Sequence, residues 1–159
     1  MSYLLDTNIF IRCKNEMPMD IFQGFWQRLA DLAQNGQIFS SVKVKEEIDK
    51  GNDDLKQWCA DKLPKGFFLP FDAFDDYSRL MTWANGSAIF TVAAKQEFAT
   101  VADAYLVATA AAKGMKVVSF ETSEPLCRKR VKIPDACIAV GVEYCSLLND
   151  LLHELGVII

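Results

Sequence analysis

The apolar positions along the chain follow two rhythms. Short unbroken runs mark buried strands: Tyr3-Leu4-Leu5, Ile38-Phe39, and Lys116-Val117-Val118-Ser119-Phe120. They end at Asp6, at Ser40-Ser41 and beside Glu121. A strand covered on both faces is apolar throughout and gathers its polar residues at its end. Between these runs, apolar residues recur at helical spacing. Phe22, Phe25, Trp26, Leu29 and Leu32 predict a helix opened by Asp20, where Asp20-Ile21-Phe22-Gln23 has the shape of a capping box, and closed at Asn35-Gly36. A charged helix is expected over residues 42–51 with Val44 and Ile48 inward. Another is capped by Asp53 or Asp54 and stops near Pro64. Further helices are predicted over 72–84, with Phe74, Tyr77, Leu80 and Met81 on one side, and over 87–96. The Ala-rich stretch 100–113, opened by Thr100 and closed by Gly114, is the clearest helix, and its alanines suit close packing on a sheet. A last strand is expected within 131–142, interrupted by Pro134. An amphipathic helix over 143–155 then carries Tyr144, Leu147, Leu148, Leu151, Leu152 and Leu155 as a core stripe. Residues 12–19 and 124–132 read as polar connections, and 67–71 has no clear assignment.

Strands alternating with helices argue for an α/β protein with a parallel sheet and helices on both faces. The 159 residues suit a single domain, 1–159. A net charge of -4 and a pI near 5.0 argue against a protein that coats nucleic acid by charge alone. They do not exclude an enzyme that cuts it, because clustered metal-binding acids lower the pI by themselves. The five cysteines, an odd number without a C-x-x-C pair, predict reduced thiols and a cytoplasmic location. One histidine, His153, argues against a His-rich zinc site and a Ser-His-Asp triad, and reads as an ordinary helix residue. No signal-peptide pattern and no apolar run of about 18 residues is seen, so no membrane is expected.

In an open parallel sheet, ligands bind at the carboxyl ends of the strands. Four acids are expected there. Asp6 ends the first strand, Glu47 lies on the helix after the second, Asp103 in the first turn of the Ala-rich helix, and Glu121 after the third apolar run. Each also has a plain structural use. Asp6 suits a helix cap, Glu47 (with Glu46 beside it) a solvated face, Asp103 a partner for Thr100, and Glu121 a polar loop. Gathered together, they would repel one another unless a cation lay among them. Mg²⁺ prefers carboxylate oxygens, and such an ion can bind a phosphate oxygen and activate water.

These segments resemble the PIN-domain ribonucleases, which include toxins of bacterial toxin–antitoxin pairs. The resemblance rests on Leu4-Leu5-Asp6-Thr7-Asn8, Glu47-Ile48, Ala102-Asp103-Ala104-Tyr105-Leu106-Val107-Ala108-Thr109-Ala110 and Val117-Val118-Ser119-Phe120-Glu121, in that order over most of the chain. Phe25-Trp26 and Lys132-Ile133-Pro134-Asp135-Ala136-Cys137 look like one bacterial branch of that family. The resemblance implies a three-layer α/β/α sandwich and cleavage of single-stranded RNA with Mg²⁺ or Mn²⁺. It implies Asp6, Glu47 and Asp103 as metal ligands and catalytic residues, and Asn8 and Ser119 as polar residues supporting them. Glu121 is the fourth expected metal ligand and catalytic residue; it stands where the family usually has Asp, which favours a water-mediated role or weakens a second metal site. Lys43, Lys45, Arg128, Lys129, Arg130 and Lys132 are candidates for RNA phosphates, or simply solvated charges. The partners expected are an RNA substrate, a cognate antitoxin protein and a second copy of the chain. Two alternatives stay open. One is a catalytically degenerate PIN-fold module that binds RNA or protein. The other is a receiver-type domain, disfavoured because the acids come from four segments.

Overall fold

The computed structural model describes residues 1–158, apart from the side chain of Leu148. Five strands, β1 (Tyr3–Leu5), β2 (Ile38–Ser41), β3 (Phe68–Leu69), β4 (Lys116–Val118) and β5 (Tyr144–Cys145), form one parallel sheet in the order β3-β2-β1-β4-β5. The connecting helices are α1 (Thr7–Glu16), α2 (Gln23–Gln34), α3 (Val42–Gly51), α4 (Asp54–Lys62), α5 (Phe74–Gly86), α6 (Val92–Thr100), α7 (Ala102–Lys113) and α8 (Ile133–Val140). A π-helical turn, Leu147–Leu151, runs into a last turn, α9 (Leu152–Glu154). With helices on both faces, this is the three-layer α/β/α arrangement expected.

The register fixes the site. Leu4 pairs with Phe39 on one side and Val117 on the other, and Leu5 pairs with Val118. Leu4, Leu5, Val117 and Val118 are fully buried. Burying one such side chain contributes about 1.5–3 kcal/mol. Both faces of the sheet are covered, so a slip of one residue would exchange the faces these side chains pack on and carry Asp6 toward the core, which disfavours any other pairing. The chain runs from β1 outward through β2 to β3, then returns to place β4 and β5 on the other side. The strand order therefore reverses between β1 and β4, where open α/β sheets form their ligand crevice. Against the sheet, α7 packs on β2 and β4, with α3, α5, α6 and α8 around it.

Several elements depart from the sequence expectations. Residues 12–16 are helical, because α1 begins directly after Asp6 and buries Ile9, Phe10 and Cys13. The second helix starts at Gln23, not Asp20. The Pro18 carbonyl accepts from the Ile21 and Phe22 amides and makes a turn there, and the Gln23 side chain reaches the Asp20 carbonyl rather than its amide. Phe22 and Phe74, expected in the core, are exposed. Stretch 67–71 supplies edge strand β3. The helix placed over 87–96 is α6, because Thr91 Oγ1 accepts from the Ala94 amide while Ser87 only closes a turn onto Ile89. The strand expected within 131–142 is helix α8, which tolerates Pro134 in its first turn because the amide that proline lacks would have no partner there. The helix expected over 143–155 is divided into β5, the π-helical turn and α9. Leu147 and Leu151 of its predicted stripe are buried, Tyr144 is exposed, and the Leu148 side chain lies outside what is described. Among the described residues, no helix is long and apolar enough to cross a membrane.

Candidate functional site

Asp6 follows β1 and stands at the N-cap position of α1, yet its carboxylate makes no capping hydrogen bond. Its amide donates to the Val118 carbonyl at 3.1 Å, which pins it beside the end of β4. There the Ser119 hydroxyl donates to Asp6 Oδ2 at 3.2 Å, and its oxygen accepts from the Glu121 amide at 3.1 Å. One buried hydroxyl thus orients the first acid and starts the loop that carries the fourth.

Asp103 lies in the first turn of α7, where the helix dipole favours a negative charge. Glu47 reaches across from α3, and its Oε1 accepts from the Ala102 amide at 3.1 Å. The cap of α7 expected from Thr100 is therefore supplied by Glu47, while Thr100 closes α6 through the Glu97 carbonyl. Glu46 is largely exposed, 3.8 Å from Lys43. Glu121 Oε2 accepts from the Ile133 amide at 2.7 Å, at the start of α8. Glu47 and Glu121 thus each satisfy a helix N-terminus and also face the acid edge.

Asp6 is 1% exposed. Burial is the main cause that pushes its pKa up to about 8. The charges of Asp103 and Glu121 add to it, and the Asn8 amide and Ser119 hydroxyl offset only part. Asp103 is pushed up to about 6, by burial first and then by Glu121. Arg130 opposes the rise and Glu47 adds to it. The charges of Asp103 and Glu121 thus bear on Asp6, and those of Glu121 and Glu47 on Asp103, at the carboxyl edge of β1 and β4.

A basic side chain stands among them. Arg130, on the loop between β4 and α8, places Nη2 at 2.7 Å from Glu121 Oε1 and at 3.4 Å from Asp103 Oδ2. The short contact is an ion pair without hydrogen-bond alignment, since Glu121 Oε1 is buried and has no hydrogen-bond partner. Burial works against the charge on Arg130, but Glu121 and Asp103 outweigh it and raise the guanidinium pKa. As the side chains lie in this structure, no three His, Cys, Asp or Glu among the described residues form a group that could hold a metal ion. The donors nevertheless fit a hard divalent cation. They are all carboxylate oxygens, two belong to acids (Asp6 and Asp103) whose charged forms are disfavoured first by burial and then by neighbouring acids, and one oxygen is buried without a hydrogen bond.

Beside the acids opens a groove of about 450 Å³ lined by Asn8, Arg12, Asn15, Phe120, Arg130 and Lys132, among others. Asn8, Arg12 and Asn15 share one face of α1, and the Arg12 guanidinium stacks 4.5 Å from the centre of the Phe120 ring. The sequence does not mark out Arg12 and Asn15, because the charged residues beyond Phe10 have the pattern of a loop. Their spacing from Asn8, one and two helical turns, was the signal available. The other candidate cations scatter. Lys43 shares the face of α3 with Glu47 and lies 5.0 Å over the Tyr105 ring. Lys45 is on the opposite face, paired with Asp49 at 2.6 Å and lining a separate cavity beside α4. Arg128 and Lys129 are exposed on the loop. His153 contacts only the Asn149 carbonyl of its own helical turn, at 2.9 Å.

The fold is a three-layer α/β/α arrangement around a parallel sheet, with acids at the carboxyl edge of its central strands. The chain belongs to the family described as "Domain of unknown function (DUF4411)", whose model matches residues 3–157. No curated protein matches it by sequence. Among solved structures it is similar to VapBC2 from Rickettsia felis bound to a DNA fragment from their promoter, with 18% identity, a TM-score of 0.57, and coverage of 92% of this chain and 98% of that one. It is also similar to FitAB bound to an IR36 DNA fragment, with 20% identity, a TM-score of 0.51, and coverage of 91% and 94%. At such identities the likeness is one of fold.

Proposed function

We propose that the protein is a metal-dependent endoribonuclease of PIN type, acting as the toxin of a toxin–antitoxin pair. The observation that carries this reading is the meeting of Asp6 and Asp103 in a desolvated acid pocket at the point where the strand order reverses. Asp6 and Asp103 would be the main ligands of Mg²⁺ or Mn²⁺, with Glu47 and Glu121 completing the set. Such an ion supplies a Lewis acid for a phosphate oxygen and a water of lowered pKa. The chain's own residues do the rest. Ser119 donates to one oxygen of Asp6 and so limits how its carboxylate can turn. Glu47 and Glu121 keep the starts of α7 and α8 fixed around the acids. Arg12, Lys132 and Asn8 line the groove in which the phosphates flanking the cut strand would lie.

The purified protein should cleave single-stranded RNA with Mg²⁺ or Mn²⁺, and Asp6→Asn and Asp103→Asn should each lose the activity. Equal cleavage by all three proteins would rule the assignment out. A second reading is a module of the same fold that binds without cutting, and the Arg130 ion pairs favour it. It predicts no Mn²⁺ binding by calorimetry.

A further inference from the structure

We propose that Arg130 is a built-in cation that competes with the divalent ion for Asp103 and Glu121, and that binding of the ion releases the guanidinium into the adjoining groove. The inference rests on the metal reading above and goes beyond it by assigning how the pocket is held before the ion arrives.

Three observations carry it. First, the guanidinium touches both acids through a single nitrogen, at 2.7 Å and 3.4 Å. A bidentate fork on one carboxylate is the strong arrangement for arginine, and it is not what is seen. The 2.7 Å contact lacks hydrogen-bond alignment, so charge holds it there more than directed bonding. A doubly charged ion at the same oxygens has the stronger Coulomb attraction. Second, the loop is secured around Arg130 by bonds that do not involve its side chain. Asp135 accepts from the Ser123 hydroxyl at 2.5 Å and the Glu124 amide at 2.9 Å, and the Arg128 carbonyl accepts from the Thr91 amide at 3.0 Å. The side chain can therefore leave the acids without unfolding the loop. Third, it has somewhere to go. Arg130 already lines the groove that Arg12 and Lys132 share, and its side chain is 42% exposed on that side of the pocket. A nucleic-acid phosphate in the groove would receive it.

The test is Mn²⁺ affinity by calorimetry for the native chain, Arg130→Gln, Arg130→Lys and Arg28→Gln. Arg28→Gln removes one positive charge from an exposed site elsewhere. Arg130→Gln should bind Mn²⁺ at least about 5-fold more tightly than the native chain, in the range usual for coupled sites. Arg130→Lys should fall between them, and Arg28→Gln should match the native chain. Affinity in Arg130→Gln equal to or weaker than native overturns the inference and leaves the metal site standing. Absence of Mn²⁺ binding in all four proteins overturns both. Should Arg130→Gln fail to fold, the native chain decides. On addition of Mg²⁺, the Arg130 guanidinium NMR signal should change from hindered to free rotation, and a signal that Mg²⁺ does not move overturns the inference.

Discussion

Strands β1 and β4 lie side by side, and their two ends handle charge in opposite ways. At the amino ends, Tyr3 sits opposite Lys116, and both are tied to Glu154 from the last helical turn. The Tyr3 hydroxyl donates to Glu154. This bond is the main cause that lowers the Glu154 pKa, with Lys116 next, and it helps push Tyr3 up to about 12. Every charge there has an opposite partner and an outlet to water. At the carboxyl ends, a few residues away, one guanidinium pairs with Asp103 and Glu121 alone, and Asp6 is almost wholly buried without a cationic partner among the described residues. The same two strands thus carry a satisfied cluster at one end and a strained one at the other. Glu47 and Glu121 help the fold by holding helix starts, but the burial of Asp6 beside Asp103 and Glu121 costs stability, and strain of this kind points to use.

The largest expected contrast between the ends is in catalysis. Asp6→Asn or Asp103→Asn should lower RNA cleavage by more than about 100-fold, beyond what loss of a supporting residue costs. Glu154→Gln should leave cleavage unchanged. Equal losses from both ends would erase the distinction. The next contrast is thermal. Mn²⁺ at about 100 times its Kd should stabilise the native chain by about 2.7 kcal/mol, roughly 5–10 °C in Tm for a chain of this size. Chelation should reverse the gain, and Asp6→Asn should show none of it by calorimetry. Ser119→Ala, which frees the Asp6 carboxylate, should cost about 10-fold in Mn²⁺ affinity or cleavage rate.

A smaller effect separates the two ends by pH. The folded pKa of Asp6 lies far above its ordinary 3.8, so the fold prefers the protonated acid. The metal-free protein should therefore lose stability as pH rises from about 4 towards 8, because ionising Asp6 costs more folded than unfolded. Asp6→Asn should raise the metal-free Tm at pH 8 by about 2–4 °C and change it little at pH 5. A drop in Tm at both pH values would instead make Asp6 a structural cap. Glu154 has the opposite sign. Its folded pKa is lowered, so its contribution is present at neutral pH and disappears as pH falls below about 4.5. Glu154→Gln should remove that acid-side loss, the smallest change of the set and visible only in unfolding curves taken at low pH.

The sequence showed the sheet and three of its strands because a strand buried on both faces leaves an unbroken apolar run. It showed Asp6, Glu121 and Asp103 because they stand at or just beyond the ends of those runs or at a helix start, and Glu47 because it lies on the helix that follows one of them. It was poorer where one local pattern serves two structures. Ile9, Phe10 and Cys13 belong to α1, but the charged residues between and after them read as a loop. Pro134 looked like a break in a strand and is instead the first turn of α8. Leu147 and Leu151 keep the same spacing in a π-helical turn as in an ordinary helix.

Periodic burial is a short-range property, written in neighbouring residues, so the chain alone determined an α/β architecture with Asp6 and Ser119 at the ends of central strands. The tertiary structure decided which distant groups meet: Glu47 capping α7, Glu121 bound to the start of α8, and Arg130 set between Asp103 and Glu121. No periodicity encodes where a loop side chain ends up. That depends on anchors far along the chain, here Asp135 and Thr91, and on which buried charge is left in need of a partner.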